Sequence, residues 1–64
     1  MVTKEEIIKN LKDDGIGLSI QDLANMNNSD RVPISIILAE LIGEKNVEVK
    51  WRGNLKLHFW AGEK

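Results

Sequence analysis

Side chains that could attack a substrate or hold a metal ion are scarce in this sequence. It contains three serines, one threonine, one histidine and no cysteine. Nucleophilic catalysis needs a nucleophile, a base and an orienting group in mutual contact. The serines fall where helix caps or helix surfaces are predicted, and a single imidazole cannot form a multi-histidine site. The sequence therefore predicts no enzyme, no metal site, no cofactor and no small-molecule substrate.

Cations near the end of the chain offer more chemistry. Lys50, Arg52 and Lys56 surround the dipeptide Gly53-Asn54. Cations that converge beside a glycine tip suit the phosphates of a nucleic acid. Lysines on an exposed strand also prevent edge-to-edge aggregation, so a solubilising edge is an equally good interpretation. Because the net charge of the chain is −1, nucleic-acid binding would depend on a local patch of this kind.

Helices are predicted over about residues 3–13, 19–27 and 31–45. Thr3 with Glu6, and Ser19 with Asp22, have the spacing of helix caps. The third helix has the clearest apolar periodicity, and Pro33 suits its first turn. Its predicted core face comprises Ile34, Ile37, Leu38, Leu41 and Ile42.

Residues 46–51 and 55–60 alternate between apolar and polar side chains, which predicts a β-hairpin. We favour a three-residue loop over residues 52–54, because it makes one face of the hairpin wholly apolar. This register pairs Trp51 with Leu55, and it sets Lys50 directly opposite Lys56.

Three ring-bearing side chains are assigned positions by this register. Trp51 lies on the apolar face and is expected in the core. Trp60 falls on the polar face, where it could stack on a base, cover the end of the third helix or enter a pocket of a partner. His58 is expected at the surface, facing Glu48 across the hairpin.

Composition indicates one folded domain over residues 1–64. The hydrophobic fraction is 42% and the charged fraction is 30%, as in globular domains rather than disordered chains. No apolar run approaches the ~20 residues of a membrane span, and Met1–Glu6 does not resemble a signal peptide. We expect no membrane contact and a cytoplasmic location.

The span from Asp22 to Val49 resembles the winged helix-turn-helix superfamily. The similarity is carried by Asp22-Leu23-Ala24, a polar turn, the spacing of Ile34, Leu38 and Leu41, and then Val47-Glu48-Val49. It implies an α+β fold, with a three-helix bundle that contains a helix-turn-helix and ends in a hairpin wing. It also implies double-stranded DNA as the partner, with the third helix in the major groove and the wing on the backbone.

This resemblance predicts a small transcription regulator or nucleoid-associated factor. The candidate DNA-contacting residues lie at the start of the third helix and on the wing. They are Asn28, Arg31, Ser35, Lys50, Arg52 and Lys56.

The outward face of the third helix departs from the pattern of a DNA reader. Val32, Ile36, Ala39 and Gly43 form a second apolar stripe, and Glu40 would repel phosphate. The stripe could be covered by the hairpin or the first helix, could contact thymine methyl groups, or could bind protein. In the last case, the chain is an interaction module that docks a homodimer partner or another protein. Its interface would comprise Val32, Ile36, Ala39 and Trp60.

Overall fold

A computed structural model describes residues 2–63. Three helices come first: α1 spans Lys4–Asp13, α2 spans Ile20–Met26 and α3 spans Arg31–Gly43. Two antiparallel strands follow, β1 at Val47–Arg52 and β2 at Leu55–Trp60. This α+β layout of three helices and a C-terminal hairpin is as predicted, and it is compatible with a winged helix. Among the described residues, no helix has the length and apolar character needed to cross a bilayer.

The first two helices begin at reciprocal caps. The Thr3 hydroxyl accepts from the Glu6 backbone N–H, and the Glu6 carboxylate accepts from the Thr3 N–H. Ser19 and Asp22 form the same arrangement at the start of α2. These caps satisfy backbone donors that a helix start would otherwise leave unpaired.

The core lies where the three helices meet the base of the hairpin. Each helix buries one apolar stripe, and β1 adds its first residue. The buried cluster comprises Ile7, Leu11, Leu23, Ala24, Ile34, Leu38, Leu41 and Val47. The predicted core face of α3 was too wide, because Ile37 is only half-buried and Ile42 is exposed.

The hairpin has a two-residue loop, so the predicted three-residue register is wrong. Trp51 pairs with Lys56, and Arg52 pairs with Leu55. Gly53 has a φ of +62° at the first central position of the loop, the position that a type II′ turn reserves for glycine. The expectation of one apolar and one polar face is wrong because β2 is covered on both faces. Leu57 and His58 point to opposite faces of the strand, and both are buried.

A single-residue β-bridge beside β2 contributes to this double burial. Leu18, between α1 and α2, exchanges two backbone hydrogen bonds with His58, at 3.1 Å and 2.8 Å. Gly17 then lies against the ring of Phe59, where a Cβ atom would approach the ring to 2.6 Å. The link between the first two helices therefore closes over the second face of β2.

Candidate functional site

The two-residue register separates the cations of the wing. Paired residues of a hairpin point to the same face, and successive residues point to opposite faces. Lys56 therefore shares a face with Trp51, whereas Lys50 and Arg52 lie on the other face. The predicted opposition of Lys50 and Lys56 is wrong, because Lys50 pairs with Leu57 and its Nζ lies 5.4 Å from the centre of the Phe59 ring.

Three of the predicted DNA contacts lie near the start of α3. Arg31 is the first residue of the helix, and Ser35 follows one turn later. Asn28 lies in the preceding turn with a φ of +49°, a left-handed conformation that asparagine tolerates better than most residues. This turn therefore places a polar amide just before the helix.

Arg31, Ser35 and Lys56 line one groove between α3 and the wing, with a volume of about 470 Å³. Residues at the start of α2 contribute a further wall. Those from α2 and the residue before it are Ser19, Ile20 and Gln21; those from α3 are Arg31, Ser35, Leu38, Ala39 and Ile42; those from the hairpin are Trp51, Asn54, Leu55, Lys56 and His58. Of the six predicted DNA contacts, only these three line it.

Positive charge dominates this groove although the whole chain is slightly acidic. Two of the lining residues are cations and none is a carboxylate. Within residues 2–63, neither Arg31 nor Lys56 forms an ion pair. Their charges are thus available to an anionic ligand.

The acidic residues of α3 are held elsewhere. Lys4 Nζ lies 2.7 Å from a carboxylate oxygen of Glu44 and 3.6 Å from one of Glu40. These contacts join α1 to the far side of α3, and neither glutamate lines the groove. The repulsion expected from Glu40 therefore acts on a different side of the helix.

His58 forms part of the groove wall and is buried, so its predicted place at the surface is wrong. It pairs with Val49 rather than facing Glu48, and only 3% of it is exposed. Its Nδ1 lies 2.8 Å from the carbonyl oxygen of Leu18, so Nδ1 carries the proton of the neutral ring. Burial lowers the pKa of His58 below 6.5; the Leu18 carbonyl opposes this shift, and the charge of Lys56 adds to it.

This lowered pKa predicts a loss of stability in mild acid. Below about pH 6.5 the unfolded chain binds a proton that the folded chain resists, so the free energy of unfolding falls as the pH falls through the folded pKa. The slope due to one group is at most about 1.4 kcal/mol per pH unit. Urea unfolding between about pH 7.5 and pH 5 measures it.

The control for this prediction is His58→Gln, which keeps a side-chain donor and removes the only histidine. We expect a flatter pH dependence in this variant over the same range. Equal slopes in the two proteins would show that His58 is not the titrating group.

Trp60 is half-buried in the structure. It pairs with Val47 and packs, partly buried, against the core. Its indole N–H donates to the carbonyl of Glu63 at 2.9 Å, and Lys12 Nζ lies 5.2 Å from the ring centre. The ring of Trp60 therefore packs at the edge of the core beside the end of α1.

Trp51 is the residue that the sequence pattern misplaced most. It is 66% exposed and lines the groove instead of entering the core. The signal that could have located it is Gly53-Asn54, since glycine at the first position of a two-residue loop favours the observed register.

A separate apolar surface lies on the outer face of α3. Val32 is 68% exposed and Ile36 is 56% exposed, so neither the hairpin nor α1 covers this part of the stripe. Neither residue lines the groove. Of the predicted interface residues on α3, only Ala39 also reaches the groove.

No group of three or more potential metal ligands occurs among the residues that the structure describes. Comparison with known proteins finds no matching family model, no matching curated protein and no matching solved structure.

Proposed function

We propose that this chain is a winged helix-turn-helix domain that binds double-stranded DNA through the groove between α3 and the wing. One observation carries the proposal: an acidic chain lines one groove with Arg31 and Lys56 and with no carboxylate. Such segregation of charge gives the local patch that phosphate binding needs. The function that follows is regulation of transcription or organisation of the nucleoid.

Three of the lining residues have a defined role in this proposal. Arg31 and Lys56 bind phosphates from the two walls, and the Ser35 hydroxyl donates a third hydrogen bond. Asn28 lies in the turn before α3, outside the lining of the groove. These interactions position the duplex and carry no direct reading of base sequence.

The test is a double charge reversal, Arg31→Glu with Lys56→Glu. Removing one phosphate-binding cation should flatten the plot of log K against log salt by about 0.9, so the variant should bind more weakly and its slope should fall by about twice that amount. Fluorescence anisotropy with labelled random-sequence duplex, measured over a series of salt concentrations, gives both quantities.

The hairpin offers a matched control, Lys50→Glu with Arg52→Glu. It makes the same change in net charge on the opposite face of the wing. We expect a much smaller change in affinity and slope. If the two double variants weaken binding equally, the groove is not the phosphate site and the effect is one of net charge alone.

A second candidate function is protein binding through the outer face of α3, as the exposed Val32 and Ile36 favour. Light scattering on the same samples separates the two functions. A wild-type chain that does not bind duplex DNA but is a dimer in solution would favour protein binding through α3 over DNA binding.

A further inference from the structure

Trp51 has a position that the fold itself does not explain. Indole is the largest apolar side chain, and leaving it exposed forfeits the stabilisation that burial would give. The residue is two-thirds exposed at the wall of the groove. Within residues 2–63, Trp51 makes no side-chain hydrogen bond and no cation lies over its ring, whereas the indole N–H of Trp60 donates a hydrogen bond and cations lie over the rings of Trp60 and Phe59.

The neighbours of Trp51 indicate what could cover it. Lys56 is its direct partner across the hairpin and points to the same face. Arg31 and Ser35 line the same groove from α3, and Ala39 and Ile42 contribute apolar surface. An aromatic face beside an apolar surface, with cations around it and no carboxylate, matches a flat base attached to a phosphate.

We propose that the groove holds an unpaired base stacked on Trp51, so that the DNA bound here includes a single-stranded segment. This inference rests on the proposed function, because it takes the same cations as the groups that bind phosphate. It goes beyond it by specifying the form of the nucleic acid.

Stacking geometry excludes a base inside an intact duplex. Paired bases cover one another's faces and present only their edges in the grooves. An indole can stack only on a base whose face is free, as in a single strand, a frayed end or a flipped nucleotide. A volume of about 470 Å³ lies in the range of pockets that bind small organic groups.

The experiment uses Trp51 as its own probe. The chain has two tryptophans, so Trp60→Phe leaves Trp51 as the only indole. This variant is titrated with oligothymidine, which does not pair with itself, and with a long blunt-ended duplex in which free base faces occur only at the ends. We expect quenching of Trp51 fluorescence by oligothymidine and little quenching by the duplex.

Trp51→Ala then measures the contribution of stacking. Removing the stacking of one base should weaken oligothymidine binding about 5- to 150-fold, whereas affinity for the long duplex should change little. Trp51→Phe, which keeps an aromatic face, should restore part of the affinity. Circular dichroism of each variant checks that the fold is retained; Trp51 is exposed, so its replacement should not unfold the chain.

The outcomes separate this inference from the proposed function. The inference is wrong if Trp51 fluorescence is not quenched and Trp51→Ala does not selectively weaken oligothymidine binding. If the protein nevertheless binds the duplex, the proposed function stands. Equal weakening on both forms of DNA also overturns it, because Trp51 would then contact the backbone. If the wild-type protein binds neither oligothymidine nor the duplex, the inference and the proposed function are both wrong. If it binds only oligothymidine, with quenching and with selective weakening in Trp51→Ala, the inference is supported and a duplex partner is contradicted.

Discussion

Replacing Ile34 by alanine is expected to unfold most of the protein. Ile34 is fully buried on α3 at the centre of the core. Truncating such a side chain costs about 2–5 kcal/mol, because the removed atoms no longer pack against the core and a cavity remains. A domain of this size has only about 3–5 kcal/mol of net stability. Thermal and urea unfolding followed by circular dichroism measure the destabilisation.

Ile36→Ala is the matched control on the same helix. Ile36 is the same residue type two positions away, and it is more than half exposed. We expect a change within about 0.5 kcal/mol, since alanine also has the higher helix propensity. Equal destabilisation by the two substitutions would mean that α3 presents a different face to the core.

Gly17→Ala is expected to be nearly as damaging, although it adds only one methyl group. Gly17 has a φ of +111°, which side chains other than glycine rarely adopt. The new Cβ would also lie 2.6 Å from Cζ of Phe59 and 3.1 Å from Cβ of Leu57. Backbone strain costs about 1–3 kcal/mol, and overpacking adds about 1–3 kcal/mol. Urea unfolding should show a destabilisation of at least about 2 kcal/mol.

Gly15→Ala tests whether the effect belongs to this position. Apart from residue 15 itself and its chain neighbours, no atom lies within 4 Å of the Cβ that a side chain at 15 would carry, so we expect little change or a small gain in stability. Introducing Phe59→Leu into the Gly17→Ala variant separates the two contributions. The coupling energy of this double-mutant cycle reports the clash with the ring, and the remainder reports the backbone conformation. A Gly17→Ala protein as stable as the wild type would contradict the observed packing of the link against β2.

The effects of Ile34→Ala and Gly17→Ala differ in how far the sequence alone predicts them. The burial of Ile34 follows from local spacing, because a helix with apolar residues at 34, 38 and 41 buries that stripe whatever it packs against. The role of Gly17 has no local signature. It arises from the pairing of Leu18 with His58, 40 residues later in the chain.

The candidate site divides in the same way. Arg31 and Ser35 could be selected from the sequence, because Pro33 and the apolar periodicity of α3 place the start of that helix close to Arg31 and therefore indicate its exposed positions. The wing residues could not be assigned correctly, because a shift of one residue in register moves every side chain to the opposite face. Lys56 lines the groove, whereas Lys50 and Arg52 do not.

Local chemistry was thus sufficient for the order of elements, the capped starts of α1 and α2 and the centre of the buried stripe of α3, because these depend on residues within a few positions of one another. Local chemistry did not determine the hairpin register. Alternation favoured a one-sided sheet, but the link at Gly17 and Leu18 covers the second face of β2 and removes the penalty for apolar residues there. The same tertiary contact pairs Leu18 with the buried His58, and the register decides that Trp51 and Lys56 share the face that lines the groove.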